Sequence, residues 1–128
     1  MKVEVSTAID ELRRQFGGAT VASTEDGQGG AHVVIDPIDL GPRFAPSITW
    51  LGFQIPAQYP YADVYPVFMG GDVSRTDRVP FVAPVTVGHT FQGRPAIQIS
   101  RRSAAAQTGS QTVSAKLLKV LDFLQKLP

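Results

Sequence analysis

Residues Trp50 to Phe68 read WLGFQIPAQYPYADVYPVF, and the rest of the chain is arranged about this run. Leu51, Phe53 and Ile55 alternate with Gly52 and Gln54, the two-residue period of a strand with one buried face. With the residues before it the strand spans 48–55. Trp50 falls on the opposite face, which implies that this face too is partly covered, as in a central strand packed by helix on one side. Pro56 ends it. Proline fixes its own backbone and restrains its predecessor. Tyr59-Pro60-Tyr61 and Tyr65-Pro66 therefore predict a rigid turn, which feeds a second strand over 64–69 that pairs antiparallel with the first.

On the N-terminal side, Ala19 to Thr24 and Ala31 to Ile35 read as two strands joined by EDGQGG, a loop rich in turn formers. Its glycines cradle no phosphate, because no helix start and no G-K-[ST] follow. His32 reads as an ordinary strand residue. Further upstream, Val5, Ile9, Leu12 and Phe16 lie at helical spacing; Thr7 is the predicted cap and Gly17-Gly18 the stop. Arg13 and Arg14 lie off that stripe. Asp36 to Pro46 is a connection broken by three prolines.

On the C-terminal side, Gly70 to Thr90 reads as one long loop, and loops of that length inside a domain are often functional. Gly93 to Ser103, GRPAIQISRRS, holds a short alternating segment, Ala96 to Ser100, followed by Arg101-Arg102. From Gln111 to Leu127 the chain is amphipathic, with Val113, Leu117, Val120, Leu121, Leu124 and Leu127 on one helical face.

The 128 residues, 43% of them apolar, predict one domain over 1–128, and the twelve glycines and ten prolines argue for an α+β chain rather than a helical bundle. No apolar run approaches the roughly 20 residues of a membrane span. Met1 to Phe16 has no apolar core of a signal peptide, so a cytoplasmic location is expected. There is no cysteine, which excludes disulfides and thiolate metal sites. Two histidines, His32 and His89, are too few to predict a metal site, and no cofactor is expected. The net charge of +1 conceals a division. Residues 1–77 carry five Lys/Arg against ten Asp/Glu, and residues 78–128 carry seven against one. The basic residues form no dense cluster, so the division reads as a surface dipole and nucleic acid is not expected as a partner.

The strand ending in IPAQYP, the Tyr-Pro turn, the next strand, a long irregular loop, the Gly93-Arg94-Pro95-Ala96-Ile97 segment and the last helix together resemble a ubiquitin-conjugating enzyme in a compact bacterial form. The resemblance covers the chain from Ala19 onwards. It implies an N-terminal helix, an antiparallel meander of three to four strands, a long active-site loop and a C-terminal helix. It also implies a transferase that carries a ubiquitin-like modifier as a cysteine thioester and passes it to an acceptor amine. The implied partners are the modifier, an adenylating activating enzyme and an acceptor protein.

Where that family has Gly-x-x-Cys-apolar, this chain has alanine, so Ala96 marks the nucleophile position. A methyl group performs none of the steps of thioester transfer. An alanine engineered in place of cysteine and a natural, cysteine-free module that binds ubiquitin-like proteins or scaffolds a partner both account for it, as does an unrelated fold or another nucleophile. Arg94, Arg101 and Arg102 are the cations that would favour a thiolate at position 96, and His89 is the candidate base. The family's His-Pro-Asn segment has only His89-Thr90-Phe91 as a counterpart, so no oxyanion role passes to it. Arg13 and Arg14 on the first helix correspond to the surface that docks the activating enzyme. The family's Pro-Pro pair is missing, its place held by Asp63-Val64 or Tyr65-Pro66.

Overall fold

The computed structural model describes residues 1–101 and 112–128. Helix α1 (Val3–Gln15) is followed by strands β1 (Thr20–Glu25), β2 (Ala31–Asp39), β3 (Phe44–Ala45), β4 (Ile48–Ile55), β5 (Val67–Gly70), β6 (Ser74–Arg75), β7 (Val85–Phe91) and β8 (Arg94–Ile99), and by helix α2 (Val113–Gln125). Six strands form one antiparallel sheet in the order β1-β2-β4-β5-β8-β7, and β3 pairs with β6 beside it. The protein is α+β, with an N-terminal helix, an antiparallel sheet and a C-terminal helix, but the sheet has six strands rather than the expected meander of three to four, because β7 and β8 add a hairpin beyond β5.

The alternation along each strand sets the two faces of the sheet. Val33, Ile35, Leu51, Phe53, Met69, Ile97 and Ile99 are buried on one face, in register with one another across β2, β4, β5 and β8. Against them pack Val5, Ile9 and Leu12 of α1 and Val113, Leu117, Val120 and Leu124 of α2, in one contiguous core. The helical stripes expected from the sequence are thus the buried faces. β4 has the expected bounds and pairs antiparallel with β5, which begins at Val67 rather than Val64.

Several elements differ from the sequence reading. α1 begins at Val3, with Lys2 as its cap, so Thr7 sits inside the helix; the apolar repeat starting at Val5 outweighs a capping residue placed two positions later. α2 is capped as capping chemistry favours, Thr112 Oγ1 accepting from the Ala115 N–H at 3.1 Å. β2 runs on to Asp39 because a bulge between Ile35 and Ile38 absorbs Pro37, the kind of site where a strand tolerates proline.

The largest departure is at Gly70 to Thr90, which is not one long loop. β6 pairs there with β3, and β7 forms a hairpin with β8. The hairpin turns at Gln92 (φ 51°) and Gly93 (φ 77°), two successive left-handed residues, as a tight two-residue turn requires. Gly93 is therefore a turn glycine, and Arg94 to Ile99 is a strand.

The N-terminal hairpin loop is held by one carboxylate. Asp26 accepts hydrogen bonds from the Gln28 N–H (2.8 Å), the Gly30 N–H (3.0 Å) and Gln54 Nε2 (2.8 Å). The Gln28 N–H first, and then the Gln54 amide, hold its pKa below the ordinary 3.8. A carboxyl lowered in the folded state stabilises the fold fully above pH 3.8, and the contribution is lost as the pH falls through the lower folded value. The Gln28 amide proton shift, followed by NMR from about pH 5 to about pH 2, is expected to titrate with a midpoint below that of an unstructured aspartate. A midpoint at or above the ordinary value would contradict this loop geometry.

Candidate functional site

By alternation along β8, Ala96 and Gln98 lie on the sheet face away from the helices. Ala96 is paired on both sides, with Gly70 of β5 and His89 of β7, and is only 2% exposed. His89 is thus its cross-strand neighbour, within reach for side-chain contact. The His89 ring shares a hydrogen bond with Thr86 Oγ1 through Nε2 at 2.9 Å. Arg94, two residues before Ala96 and on the same face, stacks its guanidinium over Trp50, 5.3 Å from the ring centroid.

The other candidate cations are not gathered there. Arg101 lies beyond the end of β8 and stacks on Phe123 of α2 at 4.5 Å. Its guanidinium is thus held on the helix side, whereas Ala96 lies on the sheet face away from the helices. It cannot serve as the cation beside position 96. Arg102 lies outside the described residues. On α1, Arg13 donates to the Val21 carbonyl (3.1 Å) and lies 3.6 Å from Asp10, which ties it to the sheet edge, while Arg14 is exposed. The expected nucleophile position therefore has an imidazole opposite it but no open approach.

What covers this face is the β7–β8 hairpin itself. A bulge between Thr86 and His89, with Gly88 at φ 84°, interrupts β7, and the tip folds back over the sheet. Phe91 reaches across to β4 and β2. Its ring lies 5.1 Å from Phe68, 6.1 Å from Trp50 and 6.1 Å from His32, centroid to centroid. Gly52 makes this possible, since a β-carbon there would stand 2.6 Å from the Phe91 ring. This aromatic cluster and Arg94 close the centre of the face.

Between the folded-back tip and the β1 edge a cleft of about 430 Å³ remains open. Thr20, Ala22 and Thr24 of β1 form one wall, His32, Val34 and Asp36 of β2 the floor, and Gln92 and Arg94 the other wall. Sequence reading missed it, because its residues come from three separated segments and none carries a motif. The outward-facing Thr-x-Ala-x-Thr period of β1 was the only local signal.

A second feature escaped the sequence. Lys116, on the buried side of α2, is 3% exposed; its Nζ lies 3.0 Å from Asp63 Oδ2 and 2.6 Å from the Arg101 carbonyl. Asp63 belongs to the Tyr-Pro segment, so one buried ion pair ties that segment and the end of β8 to α2. Tyr59 of the same segment meets the start of α2, where burial raises its phenol pKa against the opposing Val113 N–H.

Among the described residues no cluster of three His, Cys, Asp or Glu side chains could hold a metal ion, and no helix is long and apolar enough to cross a membrane. Comparison of the chain with protein-family models, with curated proteins and with solved structures finds no match.

Proposed function

We propose that this chain is a ubiquitin-conjugating-like module that binds a ubiquitin-like protein and carries out no thioester transfer. The burial of Ala96 carries the reading. Forming a thioester needs an exposed nucleophile with a carbonyl carbon about 3–3.5 Å away, whereas Ala96, in a strand paired on both sides, is only 2% exposed. The N-terminal helix, the antiparallel strands β1, β2, β4 and β5, the Tyr-Pro turn and the final helix support the resemblance on which the partner class rests, while β6, β7 and β8 stand where that resemblance expects an active-site loop. A second reading, a silenced transferase, draws on one observation, His89 opposite Ala96. It requires the hairpin to leave the sheet face.

Two mixtures separate these readings. The unaltered chain, titrated with ubiquitin and with ubiquitin-like modifier proteins while its amide spectrum is recorded, is expected to bind one of them reversibly. The Ala96→Cys chain, incubated with that modifier, ATP and its activating enzyme, is expected to gain no reductant-sensitive mass. Failure of every modifier to bind would overturn the module reading, and a reductant-sensitive adduct would establish the transferase.

A further inference from the structure

Beyond that reading, we propose that the cleft between β1 and the β7–β8 hairpin tip is a binding site for a free α-amino acid with a polar side chain. Its volume, about 430 Å³, is in the range of small-molecule sites. Arg94 and Asp36 both line it and both are exposed, yet they form no ion pair with each other among the described residues. Arg94 is held instead by its stack on Trp50. The cleft therefore presents a cation and an anion that do not neutralise each other.

An α-amino acid carries a carboxylate and an ammonium on one carbon, and so complements both. The guanidinium offers the planar fork of donors that suits a carboxylate, and Asp36 is the acceptor for the ammonium. A ligand with only one charge would answer only one of these two groups. Thr20 stands opposite Asp36 in the β1–β2 register, Ala22 opposite Val34, and Thr24 opposite His32. A side chain leaving the charged end thus meets first a short apolar floor, which suits a methylene stem. It then meets a hydroxyl and an imidazole, which suit a polar end. L-Glutamine has this pattern.

Trp50 is the only tryptophan of the chain, and Arg94 lies on its ring, so its fluorescence reports on the charged end of the cleft. The test is a titration of the unaltered chain, by calorimetry and Trp50 fluorescence, with L-glutamine, N-acetyl-L-glutamine and L-glutaminamide. L-Glutamine is expected to bind and to change the fluorescence. Blocking either charge is expected to weaken binding by about tenfold or more, the scale of one lost charged contact. Arg94→Met and Asp36→Asn are expected to weaken it similarly, with denaturation midpoints close to that of the parent because both side chains are exposed. The proposal is overturned if L-glutamine gives no signal up to roughly 10 mM, where even a weak site would fill. It is also overturned if N-acetyl-L-glutamine binds as tightly, which would mark a site for peptide carboxylates, or if both variants bind like the parent. None of these outcomes depends on whether a ubiquitin-like protein binds.

Discussion

Phe53→Ala is expected to destabilise the protein by about 3–5 kcal/mol, and Leu51→Ala by about 2–5 kcal/mol. Both residues are 0% exposed on the helix-facing side of β4, paired with Val33 and Ile35 of β2. Each truncation loses the transfer energy of the removed carbons and leaves a cavity that a close-packed core cannot fully collapse. Phe53 is also among the largest fully buried side chains, so its loss should be the greater. Urea unfolding followed by circular dichroism measures both, because the midpoint moves while the slope should not. A change below about half a kcal/mol at both positions, the range of ordinary surface substitutions, would mean that the face of β4 is misassigned.

Lys116→Met is expected to cost about 3–5 kcal/mol, the scale for removing one partner of a buried ion pair. The lysine bridges Asp63 and the Arg101 carbonyl from within α2, so its loss leaves a largely buried carboxylate without its ammonium. The companion Asp63→Leu should restore part of the loss, since replacing a buried pair by apolar groups is often near neutral. The double-mutant cycle in urea reads the coupling directly. Additive single effects would show that Lys116 stabilises independently of Asp63, through its bond to the Arg101 carbonyl.

These two experiments bear on what the sequence does and does not disclose. β4 was legible to the residue, because its alternation is uninterrupted and Pro56 stops it. The helical stripes were legible for the same periodic reason. The β7–β8 hairpin was not. Gly70 to Thr90 is polar at first and then interrupted by Pro80 and Pro84, which reads as a loop, and Gln92-Gly93 is not one of the dipeptides that announce a two-residue hairpin. Lys116 was invisible for a different reason. A lysine on a helix normally reads as solvated, and only the fold brings Asp63, 53 positions earlier, to meet it. At the candidate site, the sequence supplied Ala96, His89 and Arg94, which the fold does bring to one region. It gave no sign that Phe91, lying across Gly52, folds the hairpin tip over that face.

The burial of position 96 is the ground for proposing a binding module rather than an enzyme, and Ala96→Cys tests it with a single thiol. Since the chain has no cysteine of its own, alkylation of that variant reports on position 96 alone. The folded variant is expected to react at least about a hundredfold more slowly with a small alkylating reagent than the same chain in denaturant, because reaction must wait for local opening of the sheet. Reaction of the folded chain at the rate of a free, solvent-exposed thiol would contradict the account, and would return position 96 to the role of an open nucleophile site.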